Sequence, residues 1–220
     1  MTLRIDVISD VVCPWCYIGK RRLERALELF DGGGEPSVQV QWLPFELNPQ
    51  LPPDGVARSD YVARKFGARA KDIYARVGEV GRSVGIEFAF DRIARQPNTV
   101  PAHQLIALAG QHAKQDEMVE MLFRSYFLEG VDLTRPDNLV ALARQAGLDA
   151  EAASACLGDA AQRQAVLSDE SHAHALGVSG VPFFIFNRRL AVSGAQDPEV
   201  LLRAMREAAA EPAPQGILRS

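Results

Sequence analysis

The chain has 220 residues, 47% of them apolar, and 24 Lys and Arg against 28 Asp and Glu give a net charge of −4. That is enough apolar material for a substantial core, which excludes a disordered chain and a small disulfide-stapled scaffold. The acidic balance, with no basic cluster denser than Lys20-Arg21-Arg22, argues against a nucleic-acid partner, and no run of about 18 apolar residues suggests a membrane span. The residues from Met1 to Asp6 lack the basic and apolar regions of a secretory signal. With Met1 taken as the natural start, a soluble cytoplasmic protein is expected.

Leu3 to Ile8 is apolar and rich in β-branched types, as a short strand entering a core should be. From Tyr17 to Phe30, Ile18, Leu23, Ala26, Leu27 and Phe30 recur at helical spacing while charged residues take the other face, and Asp31-Gly32-Gly33-Gly34 supplies the stop. Ser37 to Leu43 alternates polar and apolar with period two, the pattern of a half-buried strand. The opening is thus β-α-β, a right-handed parallel crossover.

Beyond Asn48-Pro49 the strand signal is absent for about a hundred residues. Helices are predicted near Asp60–Val84, Pro101–Gln115, Asp116–Tyr126, Pro136–Ala146 and Asp149–Leu157, with Asn98-Thr99-Val100-Pro101 and Thr134-Arg135-Pro136 as start signals. A helix over Ala160 to Leu176 follows, ending at Gly177. Phe183 to Phe186 and Leu190 to Gly194 then form a hairpin, and Asp197-Pro198-Glu199 opens a last helix, with the tail from Glu211-Pro212 frayed. Neither outer part completes a sheet alone. Residues 1–49 and 159–220 are therefore expected to form one domain, and residues 50–158 a helical insertion beside its site.

Two of the three cysteines, Cys13 and Cys16, stand three apart at the strand-to-helix junction, on one face of the helix. The unpaired N–H groups of the helix end stabilise a thiolate at Cys13, leaving Cys16, one turn further in, to resolve. Pro14 suits the first turn, where its missing N–H costs nothing. A zinc site would need four ligands, yet no second such pair exists and Cys156, His172 and His174 are wrongly spaced. Two incidental core cysteines would need no such position. A thiol–disulfide redox pair fits the junction and a reducing compartment.

Asp10-Val11-Val12-Cys13-Pro14-Trp15-Cys16-Tyr17-Ile18-Gly19-Lys20 and Gly177-Val178-Ser179-Gly180-Val181-Pro182-Phe183-Phe184 resemble the DsbA-like thioredoxin-fold oxidoreductases, specifically their cytoplasmic FrnE-like branch. The similarity extends to Asn98-Thr99-Val100-Pro101-Ala102-His103, Leu122-Phe123-Arg124-Ser125-Tyr126-Phe127 and Ser193-Gly194-Ala195-Gln196. It implies an α/β chain with a thioredoxin-like fold and a large all-helical insertion. It also makes Cys13 the attacking and Cys16 the resolving cysteine, and Pro182 a cis-proline lying against them. Pro14 and Trp15 between the sulfurs, with Val181 and Pro182 opposite, become the substrate-binding residues, Val181 offering its backbone to an extended chain.

The same branch includes kappa-class glutathione transferases and 2-hydroxychromene-2-carboxylate isomerases, which place a serine at or near the Cys13 position. The full dithiol here favours disulfide exchange, with a glutathione-dependent transferase or isomerase as the alternative. The substrate is expected to be a thiol or disulfide of a protein, a peptide or glutathione. No metal or bound organic cofactor is expected, glutathione stays open as a redox partner, and no feature demands a homodimer. Asp197 reads as an N-cap before a γ-glutamyl ligand, Asp10 as a turn cap before a proton acceptor, His103 as a satisfied surface or core residue before a catalyst, and Cys156 as a small buried apolar residue. Tyr61, Phe66, Tyr74, Phe88 and Phe90 on the insertion read equally as core or as substrate-selecting surface.

Overall fold

The computed structural model describes residues 2–30 and 36–210. Strand β1 (Thr2–Ser9) leads into helix α1 (Pro14–Phe30), and β2 (Ser37–Pro44) pairs parallel to β1 with Ile5 opposite Val40 and Val7 opposite Trp42. At the other end of the chain, β5 (Phe183–Phe186) pairs antiparallel with β1, and β6 (Leu190–Ser193) with β5, giving the order β2-β1-β5-β6. β1 lies between β2 and β5, with Leu3, Ile5 and Val7 on one face and Ile8 beside the Arg4–Asp6 ion pair on the other. Leu3, Ile5 and Val7 share one core with α1 and with Leu201 and Met205 of α9 (Pro198–Ala210). Ile8, on the opposite face, meets Ala173 of α8 (Ala160–Ala175) and Val178. The chain is a mixed α/β protein with helices on both sides of the sheet, a thioredoxin-like fold with a helical insertion.

Between β2 and α8 run α2 (Arg58–Phe66), α3 (Ala70–Ser83), α4 (Val100–Gln111), α5 (Gln115–Arg124), α6 (Pro136–Gln145) and α7 (Ala150–Gly158). The periodicity over Asp60–Val84 predicts one helix, but the structure breaks it at Gly67 (φ +53°), where a 3-10 turn joins α2 to α3. Two strands escape the sequence reading. β3 (Val56–Ala57) and β4 (Arg95–Gln96) pair antiparallel but are two residues long, too short for alternation to register. The helix expected to Tyr126 ends at Arg124 and continues as a π turn over Ser125–Glu129, closed by Gly130 at φ +71°. Thr134 is not a helix cap: its N–H and hydroxyl both donate to Asp132 Oδ1. The stop at Asp31 to Gly34 and the tail from Glu211 lie outside the described residues.

Sheet and inserted helices share one contiguous core. Tyr17 of α1 stacks on Phe123 of α5 at 5.1 Å between ring centroids and meets Phe88 edge-on at 6.2 Å, while Phe88 meets Phe127 at 5.3 Å. Phe66 meets Tyr74, Tyr74 meets Phe90, and Phe90 stacks on Phe88, so these aromatics are occupied with their own contacts. Lys20, only 2% exposed, is held by Asp116 at 3.0 Å, Glu120 at 3.3 Å and Glu24, which keeps a buried ammonium compensated. Gln115 binds the Trp42 backbone through both its amide atoms, at 2.8 and 3.1 Å, as a neighbouring strand would. Phe123→Ala should therefore cost about 3–5 kcal/mol in urea unfolding, with sheet and insertion melting in one transition. A loss below about 1 kcal/mol, or two separate transitions, would show that the core is divided.

Candidate functional site

The loop Asp10 to Cys13 turns the chain from the end of β1 into α1. The Cys13 amide donates to the Asp10 carbonyl at 3.0 Å, and the Cys13 carbonyl receives the amides of Cys16 (3.0 Å) and Tyr17 (3.4 Å). Cys13 thus stands immediately before the first helical residue, Pro14, where the positive end of the helix dipole lies. Both side chains are buried, Cys13 at 4% exposure and Cys16, one turn in, at 0%. Burial pushes the Cys16 thiol well above its ordinary value, and the neighbouring Cys13 sulfur pushes in the same direction. Cys13, Cys16 and Cys156 are all free thiols.

Across from the pair, the Val181–Pro182 peptide is cis. The Cys13 thiol donates to the Val181 carbonyl at 3.6 Å, so the sulfur and the loop are in direct contact. Gly19 is required for this approach: a Cβ there would lie 2.9 Å from Pro182 Cγ and 3.3 Å from Phe184 Cζ. Pro14, Trp15 and Val181 are each partly exposed around the sulfurs. The six residues singled out in the sequence, Cys13, Pro14, Trp15, Cys16, Val181 and Pro182, therefore converge on one spot, although 165 positions separate the two motifs.

Behind the pair lies a buried group of acids that sequence reading only touched. The Asp10 carboxylate accepts from the amides of Val12 (3.4 Å) and Leu47 (2.8 Å), tying the cysteine loop to the segment after β2, and Asp10 is a brace. His103 of α4 donates from Nε2 to the Phe45 carbonyl at 3.2 Å and stands 3.8 Å from Asp10 Oδ1. Glu46 accepts from Asn98 Nδ2 at 3.0 Å, while its own amide donates to Glu170 of α8 at 2.7 Å. Burial and the nearby Glu170 carboxylate push Glu46 from an ordinary 4.5 up to about 7, Asp10 adding and His103 and Arg163 opposing. Glu46 and Glu170 were missed for opposite reasons: the only signal of Glu46 is a single charge inside Pro44-Phe45-Glu46-Leu47, beside a strand end, and Glu170 stands in the polar run Ser168-Asp169-Glu170-Ser171, which reads as a solvated helix face.

The remaining candidates fall away from the sulfurs. Asp197 pairs with Arg22 at 3.0 Å. The Cys156 thiol is buried, donating to the Gln104 carbonyl at 3.6 Å. His174 packs on the Phe45 ring and lies 3.7 Å from Glu170. Among the described residues no three or more His, Cys, Asp or Glu are grouped to hold a metal ion.

The raised Glu46 predicts a pH dependence of stability. Between about 4.5 and 7 the folded chain keeps a proton there that the unfolded chain has lost, so stability is full below that window and falls as pH rises through it. Glu46→Gln, neutral at every pH, should raise the melting temperature relative to wild type more at pH 8 than at pH 5. Equal effects at both would mean that Glu46 ionises normally.

The family model of the DSBA-like thioredoxin domain matches residues 4–206. Among solved structures, the probable DsbA oxidoreductase SCO1869 from Streptomyces coelicolor superposes with a TM-score of 0.86 at 33% identity, covering 98% of this chain and 94% of that one. The cytosolic disulfide reductase DsbM from Pseudomonas aeruginosa, with GSH, gives 0.59 at 21% identity over 96% of both chains, a likeness of fold. The curated Bacillus subtilis (strain 168) protein YwbO is 27% identical over 212 residues, 94% of this chain and 98% of its own.

Proposed function

The chain belongs to the DSBA-like thioredoxin domain family, whose members act as thiol–disulfide oxidoreductases or isomerases, and on that premise we propose that it is a disulfide oxidoreductase working through Cys13 and Cys16. The observation that carries this reading is the placement of the pair: Cys13 stands at a helix N-terminus in contact with the cis-proline loop, and burial one turn further in holds Cys16 as a thiol. The Cys13 thiolate attacks a substrate disulfide, forming a mixed disulfide and releasing one substrate thiolate. Cys16 then loses its proton and attacks the Cys13 sulfur, which closes the protein disulfide and releases the second thiolate. Electrons pass from the protein dithiol to the substrate, and the cycle runs in either direction as the potentials dictate.

The Val181 carbonyl, which receives the Cys13 thiol in the reduced protein, is the group an extended substrate chain would pair with once that sulfur is engaged. Pro14, Trp15 and Pro182 would flank the scissile bond. Residues 50–158 act in this reading as a helical insertion into a domain of residues 1–49 and 159–220, bracing α1 from outside. Glutathione is a fitting small partner, as the DsbM complex with GSH supports, and a reducing cytoplasm a fitting location. No described helix is long and apolar enough to cross a membrane.

Equilibration in glutathione buffers of known ratio, followed through the fluorescence of Trp15, tests the reading. A reversible two-electron transition is expected, absent in Cys13→Ser and in Cys16→Ser. Its midpoint fixes the direction of use, since 30 mV corresponds to about 1.4 kcal/mol. Glutathione binding without exchange, with activity surviving Cys16→Ser, would replace it by the transferase or isomerase reading.

A further inference from the structure

Gly19 stands inside α1 and is buried, at a place where glycine weakens a helix relative to alanine. Gly78 in α3 shows the contrast, because an added Cβ there meets no side chain nearer than Arg82 Nη1 at 3.6 Å. At Gly19 the same atom would lie 2.9 Å from Cγ and 3.4 Å from Cβ of Pro182, with Phe184 Cζ at 3.3 Å. The missing side chain is the room in which the Pro182 ring sits. Val181 precedes that ring, and its carbonyl receives the Cys13 thiol at 3.6 Å, so one dipeptide touches the cysteine helix at both its start and Gly19. Beyond the ring the chain is fixed. The Gly194 amide donates to the Pro182 carbonyl at 2.8 Å, and Phe184 is paired with Val7 in the sheet. Before the ring it has space, since an added Cβ at Gly180 meets nothing within 4 Å. Pressure on the ring is thus taken up on the Val181 side, where the carbonyl faces Cys13.

Resting on the oxidoreductase reading, we propose that Gly19 is a positioning residue for the reaction. Its empty side sets how close the Val181 carbonyl comes to the Cys13 sulfur, and through that contact both the dithiol–disulfide balance and the fit of an extended substrate chain. The balance turns on one proton. A Cys13 thiol donates to the Val181 carbonyl, whereas a Cys13 sulfur in a disulfide has no proton to give. The contact belongs to the dithiol alone and favours it. The packing of ring against helix is common to both states and cancels. Oxidation by glutathione disulfide passes two electrons and the two thiol protons of the pair to two glutathione thiols and leaves the Cys13–Cys16 bond. Gly19 acts on the dithiol side of that equation. A substrate main chain that pairs with the vacated carbonyl depends on the same position, and a disulfide without backbone N–H groups does not.

Gly19→Ala tests this in the full chain, with Gly78→Ala as the control for an unobstructed glycine-to-alanine change in a helix. In glutathione buffers the Gly19→Ala equilibrium should shift toward the disulfide by about threefold, or about 14 mV in a two-electron couple, because one hydrogen bond of the dithiol is loosened. With a disulfide-bonded peptide as substrate its KM should rise about threefold or more, while kcat/KM for hydroxyethyl disulfide stays within about twofold of wild type. Gly78→Ala should move neither quantity. If Gly19→Ala alone does not fold, Gly19→Ala/Pro182→Ala, which lacks the ring atom nearest the new Cβ, should fold and titrate at the midpoint of Pro182→Ala. A Gly19→Ala midpoint and peptide KM that match wild type would overturn the proposal. Equal losses on both substrates, or misfolding that the double variant does not relieve, would overturn it as well. A wild type that shows no two-electron transition would instead defeat the oxidoreductase reading itself.

Discussion

The stretch of α1 from Cys16 to Lys20 is buried on every side, and the rest of the structure is arranged around that constraint. Cys16, Tyr17, Ile18, Gly19 and Lys20 are five consecutive buried residues, which a helix lying on a sheet cannot achieve with one partner. The sheet covers one side, the Pro182 loop a second and the inserted helices a third. Each neighbour places its own demand on the sequence. Gly19 has no room for a side chain against Pro182, Tyr17 must stack on Phe123, and Lys20 needs carboxylates because its ammonium has no water.

The same enclosure separates the two sulfurs chemically. The position before the first helical residue faces the unpaired N–H groups, and Cys13 holds it. One turn later the chain is inside, and burial holds Cys16 as a thiol. In the proposed reaction one helical turn separates the attacking cysteine from the resolving one. The acids behind them follow from the junction as well: Asp10 ties the cysteine loop to the chain after β2, and that crossing brings Glu46, His103 and Glu170 into one poorly solvated space.

Much of the framework was legible in local patterns. β1, α1, β2, α8, the hairpin and α9 show period-two or period-3.6 apolar spacing over enough residues to register, and their edges fall within a few residues of the expected ones. The break at Gly67 was not legible, because the apolar spacing continues through it and only the backbone conformation of one glycine interrupts the helix. β3 and β4 were invisible for the opposite reason, since two residues carry no period.

The sequence by itself determined the longer elements, the paired cysteines at a strand-to-helix junction, and the resemblance that joins them to Val181 and Pro182, because these features rest on spacing within short stretches of chain. Only the tertiary structure decided which buried polar groups meet: Lys20 with Asp116 and Glu120, Asp10 with Leu47 and His103, and Glu46 with Asn98 and Glu170. The physical reason is that a charge has no periodicity. Its ionisation depends on burial and on neighbours brought from 37 to 124 positions away, and no local pattern records them.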